Sequence, residues 1–204
     1  HVLPKVEKVA VNAPVTLMYN GDSWTLDNGI VKATVAKRDG NISALVYHGV
    51  NILSRGREWE QVPSGTVTSR VTIDPASNGG ERAEVAVKGI NPGGAGGRGG
   101  GGGMDIETRI TMERGASSFY TYDEYTHPAS YPFVHVGENR FILEDINPDF
   151  DWLSVDKDRN MLMSHAPEDH MIHAKEQSIY ASGIYKNSVE HKYSYNALMY
   201  KLTA

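Results

Sequence analysis

The stretch Trp24-Thr-Leu-Asp-Asn-Gly-Ile-Val-Lys-Ala-Thr-Val-Ala-Lys-Arg-Asp-Gly-Asn-Ile-Ser-Ala-Leu-Val-Tyr47 carries the fold in its alternation of apolar runs and turns. Ile30 to Lys37 and Ile42 to Tyr47 set β-branched and aromatic residues on segments of strand length, and Trp24 to Leu26 begins another. Between them stand Asp27-Asn28-Gly29 and Arg38-Asp39-Gly40-Asn41, where Asn-Gly and Asp-Gly supply the positive φ angles that tight hairpins need. An antiparallel meander follows. Working outward, Val15 to Tyr19 precedes it across Asn20-Gly21-Asp22, and Thr66 to Ile73, Arg82 to Val87, Ile106 to Met112 and Ser118 to Tyr125 continue the pattern. Ile106, Ile110 and Met112 alternate imperfectly with polar neighbours, as on a strand with one solvated face. No helical period is sustained over three turns; Glu168 to Ile172 and Leu198 to Leu202 read as single turns. The expected fold class is all-β, with two packed antiparallel sheets.

A chain of 204 residues accommodates one domain or part of one. Hydrophobic residues at 40% and charged residues at 22% are globular proportions, so neither a disordered nor a collagen-like chain is indicated. Nine of the 21 glycines fall between Gly93 and Gly103, which localises the excess to one insert between two expected strands. Such a tract buries too little apolar surface to offset its ordering entropy, and a flexible surface loop is expected there. It is not a phosphate loop, because Met104-Asp105 follows where Lys-Ser or Lys-Thr and a helix would be needed. The net charge of −5 argues against nucleic acid as a partner, and no apolar run approaches the roughly 20 residues of a membrane helix. The absence of cysteine excludes disulfides and thiolate chemistry and leaves the compartment open. The opening His1-Val-Leu-Pro-Lys5 has no charged n-region or long apolar run and reads as a mature or trimmed start.

Nine of the 11 tyrosines lie after residue 119. Aromatic faces edged with hydroxyls are surfaces on which sugars stack, but alternating tyrosines also fill sandwich cores, and the core is the favoured place for Tyr120 and Tyr122. The acid-rich runs Asp145 to Asp151 and Asp156 to Asn160 admit a structural calcium, although the EF-hand pattern fails and turn-forming Asp is the simpler explanation. His165, His170 and His173, with Glu168 and Asp169, would approach a metal set only if a helical turn faced His170 and His173 together; loop histidines are favoured and no metal ligand is assigned. Lys192 stands among His191, Tyr193 and Tyr195, neighbours able to desolvate it and lower a pKa that starts near 10.4, which would fit it to act as a general base.

The segments Gly137-Glu-Asn-Arg-Phe-Ile-Leu143, Phe150-Asp-Trp-Leu-Ser-Val-Asp-Lys-Asp-Arg159, Met163, Pro167-Glu-Asp169 and Lys192-Tyr-Ser-Tyr195, in that order, resemble the catalytic domain of rhamnogalacturonan lyases of polysaccharide lyase family 4. Trp24 to Val31 and Gly40 to Gly49 are similar to that domain's first strands. The resemblance implies an antiparallel super-β-sandwich of the galactose-mutarotase type, incomplete in this chain. Residues 1–204 would form the amino-terminal part, with the glycine tract at 93–103 as an insert. It further implies a secreted or periplasmic enzyme that cleaves the pectin backbone rhamnogalacturonan I by β-elimination, needs no cofactor, and is completed by the carboxy-terminal remainder, which a second chain would supply. Arg140 matches the family's cleft arginine and Lys192 its lysine base, so these are the catalytic candidates. Tyr193, Tyr195 and Glu144 are the substrate-binding candidates, with Glu144 standing where the family has a second basic residue. The family's catalytic histidine lies beyond Ala204. Because the chain is acidic, a polyuronate requires local basic residues, for which Arg140, Lys175, Lys186 and Lys192 are candidates. The competing readings are a non-catalytic carbohydrate-binding sandwich, a lyase for another uronate-containing polysaccharide, and a sugar epimerase on the same fold.

Overall fold

The computed structural model describes residues 10–93, 103–136, 139–146, 152–154, 160–162, 170–173, 177–179 and 189–191. It forms two units, residues 1–147 and residues 148–204.

In the first unit, strands β1 (Thr16–Tyr19), β2 (Ser23–Asp27), β3 (Val31–Ala36), β4 (Ile42–Tyr47) and β5 (Val50–Glu58) meander into one sheet, and β10 (Phe141–Ile146) joins beside β5, giving the order β1-β2-β3-β4-β5-β10. The second sheet is β6 (Thr66–Ile73), β7 (Arg82–Ile90), β8 (Asp105–Glu113) and β9 (Phe119–Thr126), in sequence order. Every neighbouring pair is antiparallel. The turn chemistry acts as expected: Gly29 takes φ +81° after Asn28, so the chain reverses and Asp27 comes opposite Lys32, with which it forms an ion pair at 3.0 Å.

Period-two burial packs the two sheets against each other. Val31, Ala33 and Val35 from β3 join Ala83, Val85 and Val87 from β7 and Ile106, Ile110 and Met112 from β8 in one core cluster with Trp24, Leu26, Ile42 and Leu53. Asn28 ties the sheets at one end. Fully buried, it donates from Nδ2 to the carbonyls of Glu113 and Ala116, both at 2.8 Å, and its Oδ1 accepts from the backbone of Ile30 and Val31. All of its hydrogen-bonding capacity is therefore used, the amide nitrogen across a sequence separation of more than 80 residues and the oxygen within its own turn.

Two expectations change in the first unit. Residues 50–58 form a strand that alternation did not reveal, because Arg55, Gly56, Arg57 and Glu58 interrupt its apolar pattern. Tyr120 and Tyr122 are 51% and 58% exposed; the inward residues of β9 are Phe119, Thr121, Asp123 and Tyr125. Thr121 donates to Glu58 at 3.2 Å across the sheets, and Thr108 donates to Asp123 at 2.7 Å. Thr121 and Asp123 of β9 thus find partners on other strands. Burial, then the neighbouring Asp123 charge, raises the Glu58 carboxyl above the ordinary range. Burial also raises Asp123, and Tyr125 is pushed up to about 12 by burial, Asp123, Glu58 and Glu60.

The glycine tract connects the paired strands β7 and β8, with 94–102 outside the described residues. At its end Gly103 lies so close to Asn91, Pro92 and Gly93 that a Cβ would come within 2.4 Å of backbone, so the two ends of the insert meet where only glycine fits.

In the second unit, β11 (Trp152–Ser154) pairs with β12 (Asn160–Leu162), and β13 (His170–His173), β14 (Gln177–Ile179) and β15 (Val189–His191) form a three-stranded antiparallel sheet. The backbone of His170–His173 is therefore strand rather than helical turn, because β14 pairs with it. Residues 198–202 lie outside the described residues.

Candidate functional site at the edge formed by β5 and β10

Arg55 and Arg57 stand two positions apart on β5, so their side chains leave the sheet on one face. Glu58, on the other face, reaches Thr121 of the second sheet, and Phe141 packs edge-on against Phe119 with ring centroids 6.2 Å apart. The arginines consequently occupy the outer face. The β5–β10 register sets Arg55 opposite Glu144. Glu144 Oε2 receives Arg55 Nη1 at 3.0 Å, while Oε1 receives Arg57 Nε at 3.1 Å and Nη2 at 3.0 Å. Two guanidinium groups share one carboxylate.

Beyond the end of β5, the Trp59 backbone N–H donates to the Arg140 carbonyl at 2.8 Å and carries the ladder one step further. The pairing brings the Arg140 guanidinium to 4.7 Å from the centroid of the Trp59 ring, with Arg57 at 5.3 Å from the same ring. Cations held against an indole are favoured by its quadrupole, and the ring, 43% exposed, adds an apolar surface to a basic edge. Arg55, Arg57, Trp59 and Arg140 form an array suited to an anion attached to an apolar or sugar-like body.

Two of the five site residues read from the sequence, Arg140 and Glu144, lie together on this edge. Lys192, Tyr193 and Tyr195 lie outside the described residues, as do Lys175 and Lys186. Arg55, Arg57 and Trp59 are the residues that sequence reasoning missed. Their signal was an Arg-x-Arg-x-Trp alternation, legible only once residues 50–58 are known to be a strand. The acid-rich runs proposed for calcium fall largely outside the described residues, and among the described residues no group of three metal-ligating side chains forms. A separate concavity of about 470 Å³ at Gly21, Asp22, Lys37 and Arg38 holds none of the five site residues; there Lys37 Nζ lies 3.2 Å from the Tyr19 ring centroid.

The profile of the rhamnogalacturonate lyase family matches residues 93–194, half of the chain. This chain belongs to the rhamnogalacturonate lyase family. The matched segment runs from the glycine tract through β10 and includes Arg140, Glu144, Lys192 and Tyr193. No curated protein matches the chain. Membership supports a lyase-type domain directed at a pectin-like polysaccharide, and the all-β sandwich of the first unit agrees with the fold class read from the sequence.

Proposed function

We propose that this chain is the amino-terminal part of a catalytic domain that cleaves the rhamnogalacturonan I backbone by β-elimination at galacturonate, in a secreted or periplasmic setting. The observation that carries the reading is a family match whose span contains both Arg140 and Lys192. In the proposed step Arg140 binds the uronate carboxylate and neutralises it, which acidifies the adjacent C5 proton. Neutral Lys192 takes that proton, the C5–H electron pair becomes the C4–C5 double bond, and the C4–O bond breaks with its electrons leaving on the departing sugar. No oxidant or covalent intermediate is needed. Tyr193 and Tyr195 are assigned to the sugar faces.

The test is to incubate a chain continuing through the rest of the domain with rhamnogalacturonan I and follow the ultraviolet absorbance of the unsaturated uronide. Product formation that falls at least about 100-fold in Lys192→Ala, with fold and binding kept, is expected. Binding without product would overturn the lyase reading in favour of a carbohydrate-binding sandwich.

A further inference from the structure

We propose that Arg55 is a second uronate-binding residue, held in place by Glu144, which Arg57 fixes in turn, at a subsite displaced along the strands from Arg140. The inference deepens the lyase reading and rests on it for the identity of the polymer.

Stoichiometry and exposure carry it together. Glu144 has one negative charge and serves two arginines, so the trio retains a positive charge. That charge is not distributed evenly. Arg57 is only 12% exposed, uses two nitrogens on Glu144 and lies over Trp59, so it is packed and geometrically committed. Arg55 is 48% exposed, and among the described residues its one ion pair is through Nη1. At that exposure part of its planar fork is open to solvent, and such a fork can receive a carboxylate through two parallel hydrogen bonds. Glu144, placed where a basic residue was expected, does not repel an acidic sugar on this account. It is a positioning residue that restrains Arg55.

Spacing makes the subsite distinct. Arg140, one residue before β10, and Glu144 within it are four residues apart, and Arg55 is opposite Glu144, so the Arg55 and Arg140 backbone positions are separated by about 13 Å at the strand rise of about 3.3 Å per residue. The two positions are therefore assigned to different uronates of one polymer. A polysaccharide laid along the strands would meet Arg140 at one uronate, Trp59 and the Arg57 stem between, and Arg55 at another uronate of the same chain. Arg55 therefore contributes to binding of the polymer and not to the elimination step.

The test uses the chain continuing through the rest of the domain, with Arg55→Ala, Arg55→Lys and Glu144→Gln, first confirming by thermal melting that each is folded. Arg55→Ala is expected to raise KM for rhamnogalacturonan I, and the Kd for a short galacturonate oligosaccharide measured calorimetrically, by about 10-fold with kcat retained. Arg55→Lys restores part of the loss, and Glu144→Gln gives a smaller rise of about 3-fold by loosening Arg55. A carboxyl-reduced polymer should bind wild type and Arg55→Ala equally. Unchanged KM and Kd in Arg55→Ala would overturn the proposal, as would an equal loss on the carboxyl-reduced polymer. If wild type binds the oligosaccharide through Arg55 yet forms no unsaturated product, the lyase reading fails and the subsite stands; if wild type binds no uronate, the subsite falls.

Discussion

Both sheets of the first unit carry arginine–glutamate clusters on their outer faces, and the two clusters are balanced differently. On the β6–β9 sheet, Arg70 and Arg109 both bind Glu107 at 2.8 Å, Arg109 also reaches Glu84 at 3.4 Å, and Thr72 and Thr111 donate to the two oxygens of Glu84. Two guanidinium groups meet two carboxylates, and Glu107 is 5% exposed. On the other sheet two guanidinium groups meet one carboxylate beside a half-exposed indole. A balanced network whose lone pairs are used internally has little left for a ligand and acts within the fold. An underneutralised one with an exposed fork has capacity to spare. Charge count and hydrogen-bond saturation separate a structural cluster from a binding one where residue type alone does not.

The comparison can be tested in order of expected effect. The tie between the sheets sets the upper scale: Asn28→Ala should cost about 3 kcal/mol in denaturant unfolding, because four hydrogen bonds are lost and buried backbone groups are left without partners. A loss below about 1 kcal/mol would show that the end of the sandwich relaxes around it. Within the balanced cluster, Glu107→Ala should cost about 2 kcal/mol by removing the carboxylate that Arg70 and Arg109 share and leaving Arg109 with Glu84 alone, while polysaccharide binding is unchanged. If binding to the polymer fell instead, the assignment of the two faces would be reversed.

Acidity separates the carboxylates further. Burial pushes the Glu84 carboxyl up, but the hydrogen bonds from Thr111 and Thr72 and the charge of Arg109 outweigh it and hold it below its ordinary 4.5. Its stabilisation is present above that value and is lost as pH falls through the lowered one, so Glu84→Gln should make the acid limb of the stability profile shallower. Glu58 has the opposite sign. Raised by burial and Asp123, it favours the fold below 4.5 and loses that contribution as pH rises through its raised value, so Glu58→Gln should stabilise the protein near neutrality and change little in acid. Melting curves across a pH series read both. The smallest stability effect belongs to the underneutralised cluster: Arg55→Ala should shift unfolding by no more than about 0.5 kcal/mol, the range of an exposed pair, while weakening uronate binding. A large stability loss there would make that cluster structural as well.

Eight of the ten strands of the first unit were legible from apolar alternation and turn residues. The exceptions are informative. Strand β5 was hidden because its two faces are both partly polar, with Arg55 and Arg57 turned outward and Glu58 turned inward to Thr121. The family resemblance singled out Gly137 to Leu143, but not as a strand, and pairing with β5 is what organises Phe141–Ile146. In Phe119–Thr126 the alternation was visible while its sense was not. Tyr120 and Tyr122 are as apolar as the opposite set, and Asp123 argues locally for the wrong face until Thr108 and the interior carboxylate pair are considered. Of the candidate site, Arg140 and Glu144 were reachable from motif spacing, whereas Arg55, Arg57 and Trp59 were not.

The sequence by itself determined where the chain turns and which runs alternate, because hairpin geometry and period two are properties of a few adjacent residues. It also contained the motif that places the chain in its family. Tertiary structure alone decided what the charges mean. Arg57 meets Glu144 across 87 positions because β10 returns to pair with β5. A guanidinium balanced by that pairing is part of the fold, and one left in excess is available to a ligand. Charge balance at this edge depends on register between distant strands, a quantity that no local window of sequence contains.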